Sequence, residues 1–254
     1  MRIGIGCGAD IRKVAASAAA AARSDVTVIC YCLPGASAGV SVPADVEFAE
    51  SSEPWRALVD DLFSQKIDGA VRGSLPANET LRYLKSVYGV SRLERIALLE
   101  TASHQKFFFA PVGVDEGWTV EEKISFINDG RRLARAFGIS ERTSVLCGGR
   151  RGDVGRHPVV DKTIADAKAA ADATDAVFGE ILIEEAVRDC GVIIAPDGIS
   201  GNLVFRTLVF LGGGEGHGAP VVNIPAVFVD SSRASAGYEG ILFLTISLVK
   251  NNFL

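Results

Sequence analysis

The first thirty residues, MRIGIGCGADIRKVAASAAAAARSDVTVIC (1–30), read as strand, helix and strand. Ile3-Gly4-Ile5-Gly6 is a short apolar run, 10–23 is alanine-rich, and Val26-Thr27-Val28-Ile29-Cys30 is β-branched. Alanine is the best helix former, and Asp10 can cap the helix start. β-branched residues suit a pleated sheet. The same alternation continues outward from this unit to the end of the chain, and such alternation builds a largely parallel sheet with helices on both faces.

A brief strand is expected near 46–48. Trp55, Leu58, Val59, Leu62 and Phe63 then recur at helical spacing. A strand at 69–71 and a helix at 77–88 follow. The segments 95–99 and 106–112 read as two successive strands, compatible with an antiparallel pair. The clearest amphipathic helix is 119–137, stopped by Gly138. Beyond it come a strand at 143–147, helices at 159–173 and 180–189, and a strand at 191–195. A helix at 202–211, a last strand at 221–229 and a last helix at 238–250 complete the series. The chain reads as one unit over 1–254, with a division into two α/β subdomains near 140 left open because 138–141 interrupts the pattern.

A formal net charge of −5 argues against a bulk electrostatic footprint for nucleic acid. The longest apolar stretch near the C-terminus, 241–249, is too short to cross a bilayer. The chain enters a strand directly after Met1, so a cytoplasmic location is expected. Cys7, Cys30, Cys32, Cys147 and Cys190 sit mostly inside apolar runs and read as buried, reduced thiols. His104, His157 and His217 are far apart in sequence with no HExxH pattern, so neither a hydrolytic triad nor a metal site is expected. The run 212–218 lacks the Gly-Lys-Ser/Thr ending of a Walker loop, and 4–8 lacks the GxGxxG spacing of a Rossmann site.

In open α/β sheets, ligands sit beyond the carboxyl ends of the strands. Four loops of this kind carry polar residues. The loop 147–157 holds four glycines and three arginines, among them Gly149, Arg150 and Arg151, ahead of a helix. Glycine lets backbone approach a ligand, guanidinium groups suit phosphate, and a helix N-terminus offers unpaired N–H groups. The turn Pro196-Asp197-Gly198-Ile199-Ser200-Gly201-Asn202 offers Asp197, Ser200 and Asn202 as ligand contacts, or as a plain helix cap. The connection 230–239 offers Ser232, Arg233 and Glu239 around one helix start. The loop 71–76 contains Ser74 and leads to Arg82.

Taken in order, these loops resemble those of the phosphate acetyl/butyryltransferases and the acyl-ACP:phosphate acyltransferase PlsX. Asp68-Gly69-Ala70-Val71-Arg72-Gly73-Ser74 with Glu79-Thr80-Leu81-Arg82 is similar to that family's DG-V-GA…DTLR segment. His157-Pro158-Val159-Val160-Asp161-Lys162, closing the glycine loop, resembles its LVDK helix. Ile194-Ala195-Pro196-Asp197 with Gly201-Asn202 looks like its FPD…GN turn, and Pro220-Val221-Val222-Asn223 with Ser232-Arg233 echoes PVNDLSRG. The chain as a whole is similar to the MtxX (methanogenesis marker protein 4) family of methanogens, which carries a methyltransferase label.

The resemblance implies an isocitrate/isopropylmalate dehydrogenase-like, phosphate acyltransferase-type α/β fold. That fold has three α/β/α layers, a mostly parallel mixed sheet and an inter-domain cleft, and is usually dimeric. It further implies acyl transfer between a thiol and phosphate, with CoA or an acyl phosphate as substrates. Ser232 and Arg233 would bind the acyl phosphate, and a carboxylate seven residues beyond the serine, here Glu239, would take the thiol proton. Arg82 would help hold substrate. The family's Asn-Asp-Ser-Arg run is split here, and its small glycine loop is replaced by an arginine-rich one. Two other readings stand beside this one: a methyltransferase-related protein of methanogenesis, and a non-catalytic sensor keeping the same pocket.

Overall fold

The computed structural model describes residues 1–232 and 236–253. In chain order the elements are β1 (Arg2–Cys7), α1 (Ile11–Ala21), β2 (Thr27–Cys32), β3 (Val46–Glu50), α2 (Pro54–Phe63), β4 (Gly69–Val71) and α3 (Ala77–Tyr88). Then follow β5 (Ala97–Glu100), β6 (Lys106–Ala110), α4 (Val120–Ala136), β7 (Thr143–Val145), α5 (Pro158–Thr174), β8 (Val177–Phe178), α6 (Ile183–Asp189) and β9 (Val192–Ile194). The last are α7 (Gly198–Phe210), β10 (Glu215–Gly216), β11 (Ala219–Pro220), β12 (Val227–Asp230) and α8 (Glu239–Lys250). They form two compact units, Met1–Leu93 with Gly218–Leu254, and Glu94–His217. The interruption at 138–141 is the turn between α4 and β7, inside the second unit.

The first unit holds a sheet of order β11-β12-β4-β1-β2-β3, parallel except for the β11–β12 pair. Ile29, Tyr31, Ala70 and Phe228 of its strands share one core with Leu58, Val59 and Leu62 of α2 and Leu84 of α3. Helices α1 and α8 pack on each other and on the strands. α8 is apolar over most of its surface and buries Ile241, Leu242, Leu244, Thr245, Ile246 and Leu248. A helix hydrophobic all round belongs inside, and this one is held there by the sheet.

The second unit holds a sheet of order β10-β5-β6-β9-β7-β8. The expected antiparallel pair is present as β5 and β6, and β6, β9, β7 and β8 run parallel. Phe107, Phe108 and Phe109 are all buried, so β6 is covered on both faces. Helices α4 and α5 pack against β6, β9 and β7, while α7 packs against β6 and β10. Both units are thus helix-covered, mostly parallel sheets, the α/β architecture expected. Among the described residues no helix is long and apolar enough to cross a membrane.

Three boundaries differ from expectation. The run 221–229 is not one strand: β11 and β12 form a hairpin, with Val221 N–H donating to Phe228 O at 2.9 Å. Proline cannot donate to a ladder, and Pro220 and Pro225 bracket the turn, with Pro220 tolerated because β11 is an edge strand. Helix α7 starts at Gly198, four residues before the expected 202, because Asp197 caps it. Helix α6 starts at Ile183 and not at 180, since Glu180 adopts φ +53 in a turn after β8. The two-residue strands β8 and β10 carry no sequence signal.

Candidate functional site

In the first unit the parallel strands β1, β4 and β12 end at one edge of the sheet, and residues 8–10, 72–76, 231–232 and 236–238 follow them. Arg72 is buried there. Its Nε donates to Asp230 Oδ1 at 2.5 Å and its Nη1 donates to Leu75 O at 2.8 Å. Asp230 Oδ1 also accepts from the Ser231 N–H at 2.8 Å, and Ser231 Oγ donates to Gly73 O at 2.9 Å. A buried guanidinium needs such a partner, because an unpaired one would be driven out to water. Gly73 adopts φ +61, and a Cβ there would lie 2.1 Å from Gly6 O, so only glycine lets this loop touch the end of β1.

Ser74 lies in this contact. Its hydroxyl donates to Ala9 O at 2.7 Å and accepts from the Gly8 N–H at 2.9 Å. A hydroxyl has one proton to give. That proton is given to Ala9 O, so Ser74 joins the 72–76 loop to the 8–10 loop. Glu239 opens α8, half-buried, with Oε1 accepting from Ser17 Oγ at 2.9 Å. Ser17 is buried on α1 and in turn accepts from the Tyr238 N–H at 3.0 Å. The carboxylate is therefore oriented by a fixed partner. Ser232 is half-buried just past β12. Arg233 lies outside the described residues. Arg82 is exposed on α3.

In the second unit the arginine loop is largely paired with itself and its neighbours. Arg151 bridges to Glu180 at 3.4 Å and lies over the Phe178 ring, and Arg156 pairs with Asp153 at 2.6 Å. Arg150 is exposed, with its N–H donating to Asp153 Oδ2 at 2.8 Å. Gly149 is buried, and a Cβ there would lie 2.9 Å from Val160. The N-terminus of α5 is capped by its own histidine, with Val159 N–H donating to His157 Nδ1 at 3.2 Å. The 196–202 turn takes its cap role. Ser200 N–H donates to Asp197 Oδ1 at 2.8 Å, Ser200 Oγ donates to Asp197 O at 2.9 Å, and Asn202 Nδ2 donates to Val112 O at 2.9 Å. Asp197 and Ser200 thus cap α7, and Asn202 fastens it to the loop after β6.

No protein-family model matches the chain. The "Putative methyltransferase mtx subunit X" of Methanosarcina barkeri is 43% identical over 212 residues, covering 82% of this chain and 78% of that protein. Its counterpart from Methanosarcina mazei is 44% identical over 208 residues, covering 80% and 74%. The chain belongs to the mtx subunit X family. An uncharacterized methyltransferase of Methanopyrus kandleri extends the likeness over 98% of this chain and 99% of its own, at 35% identity.

For the fold of this mtx subunit X family member, solved structures give the comparison. A branched-chain phosphotransacylase from Enterococcus faecalis matches with TM-score 0.73 at 14% identity, covering 100% of both chains. A phosphotransacetylase from Streptococcus pyogenes matches with TM-score 0.69 at 19% identity, covering 99% of this chain and 94% of that one. The family member therefore has the phosphate acyltransferase-type fold.

Sequence reasoning missed two buried ionic groups in the second unit. Glu116 is fully buried; Arg95 Nε donates to its Oε1 at 2.6 Å, and the N–H groups of Arg95 and Gly113 each donate to Oε2 at 3.3 Å. Burial pushes the Glu116 carboxyl up, and the Arg95 charge pulls against it. Lys123 on α4 is also buried, with Nζ donating to Gly117 O at 2.5 Å, and burial pushes its amine down. Neither belongs to a motif; each stands beside other charged residues, Asp115 for Glu116 and Glu121-Glu122 for Lys123, and reads as surface. A cavity of about 270 Å³, with Arg151, Phe178, Glu180 and Cys190 in its lining, flanks β8 and involves only Arg151 of the predicted residues.

Proposed function

We propose that this protein is a transferase of the phosphate acyltransferase type, moving an acyl group between a thiol and phosphate in methanogen metabolism. Its ligands are a phosphorylated or thioester small molecule, with CoA and an acyl phosphate as the pair. The observation that carries the reading is the β12–α8 connection. In a phosphotransacylase-type fold, it presents Ser232 and a carboxylate held by a buried serine at the start of a helix.

Glu239 takes the proton of the attacking thiol. The sulfur then bonds to the acyl carbon, the carbon–oxygen bond to phosphate breaks, and phosphate leaves with the bonding pair. Arg82 and Arg233 neutralise the phosphate, and Ser232 donates to the developing oxyanion. The exposed Arg150 is the one guanidinium of its loop that remains open to an incoming anion. The same reading includes a cytoplasmic homodimer. The outward apolar side chains of α7, Ile199, Leu203 and Phe210, with Leu211 just beyond it, are the surface such a dimer would cover.

Thioester formation from CoA and acetyl phosphate tests the chemistry. Glu239→Gln keeps an oxygen to accept from Ser17, so the variant folds, and turnover falls about a hundredfold or more. Unchanged turnover removes Glu239 as the base. The methyltransferase name of the relatives supplies a second reading, and thermal stabilisation separates the two. A shift with CoA or acetyl phosphate supports acyl transfer, whereas a shift only with S-adenosylmethionine or a pterin replaces it.

A further inference from the structure

Two histidines distant in sequence converge on one carboxylate in the second unit. Glu100, at the end of β5, is buried. Its Oε1 lies 2.7 Å from His104 Nδ1 and its Oε2 lies 2.8 Å from His217 Nε2. The edge strand β10 brings a second carboxylate, because Glu215 stands directly opposite Glu100 in the antiparallel register. Side chains of such a pair project from the same face, and like charges there repel. His217 follows Glu215 by two residues, and its N–H continues the ladder to Leu98 O at 2.9 Å, so it shares that face. Ligand atoms of Glu100, Glu215 and His217 all lie within 4.8 Å of one another.

We propose that Glu100, Glu215 and His217, with His104 orienting Glu100 through its other oxygen, bind a divalent transition-metal ion of the zinc class at the β5–β10 edge. Imidazole nitrogen and carboxylate oxygen are the donors that zinc, cobalt and nickel accept, and three of them with one water complete a tetrahedral set. An all-oxygen cation such as magnesium gains little from an imidazole. Lys106 faces Glu100 across the β5–β6 pair, with Nζ 3.7 Å from Oε2, and offsets one negative charge. The second carboxylate remains for the ion to neutralise. The site opens at an edge strand, and Glu215 and His104 are exposed, so an ion has a path in. The hydrogen bond between Glu100 and His217 gives way to metal bonds, with any imidazolium proton released to solvent. The ion clips the two-residue strand β10 to β5, where backbone pairing alone is short.

Untagged protein, stripped with a chelator, tests this with zinc in competition against a chromogenic indicator, and with cobalt followed by visible absorbance. The five cysteines are buried and do not compete. One equivalent of zinc binds, and cobalt gives a four-coordinate spectrum. Glu215→Gln and His217→Ala each weaken zinc binding at least about tenfold, as loss of even an outer-shell partner does. Circular dichroism and melting in chelator, matching the wild type, establish that both variants fold. The absence of saturable zinc binding overturns the proposal, as does binding that the double variant retains unchanged.

Discussion

Lys123 is a single amine carried into an apolar interior, with a backbone carbonyl as its hydrogen-bond partner. Its pKa is depressed by burial, so the folded chain releases that proton at lower pH than the unfolded chain does. Its charge therefore costs stability at neutral pH. The cost fades as pH climbs from the depressed value toward the ordinary lysine value of about 10.4. Replacing it with methionine, of similar length, removes the titration. Urea melts from about pH 7 to about pH 10 should show Lys123→Met gaining on the wild type at the low end and converging at the high end. Parallel curves would mean that the amine is solvated in the folded state. The sequence around this lysine, Glu121-Glu122-Lys123-Ile124, reads as an ordinary charged helix face. Burial there is set by packing on α5, which no local pattern reports. The Arg72–Asp230 pair was equally hidden: its members lie 158 residues apart.

Helices and parallel strands were legible because period and propensity are local. α3 occupies the expected residues 77–88, and α4 ends at Gly138 as expected. What local pattern does not separate is a turn that caps a helix from a turn that holds a ligand. Asp, Ser and Asn after a strand serve a cap and a phosphate equally well, and only the partner atoms distinguish the two uses. Asp197 and Ser200 reciprocate as a capping box, so their effect belongs to α7. Asp197→Ala should lower stability by about 1 kcal/mol, and Asp197→Asn should restore most of it. If Asp197→Ala instead abolishes substrate binding at full stability, Asp197 belongs to the ligand. The hairpin β11–β12 teaches the converse lesson. Pro220 and Pro225 were visible in the run 219–229, and outweigh its apolar content in fixing where pairing stops.

For the whole molecule, the family motifs conveyed more than composition did. Their order carried the fold, confirmed by the phosphotransacylase likeness at identities too low for pairwise recognition. The assignment of Glu239, Ser232, Arg233 and Arg82 to chemistry still rests on the motif. The apolar surface of α7 has no local explanation, since Leu203 within the helix and Leu211 just beyond it are both exposed to water. Sedimentation of the full chain should give a dimer, and Leu203→Glu should shift it toward monomer without changing its circular dichroism. A wild-type monomer at micromolar concentration would exclude that use of the face.

The first unit is interrupted in sequence: it is left after Leu93 and re-entered at Gly218. β12, beside β4 in its sheet, comes from the returning segment, as does α8. On the ribosome, the second unit emerges contiguous and can fold first. Meanwhile the nascent first unit holds β4 with an unpaired edge, and its apolar surface waits for α8. Synthesis therefore imposes a delay during which that half is open to misassociation, and a chaperone that shields strand edges would act on this chain until β12 and α8 have emerged.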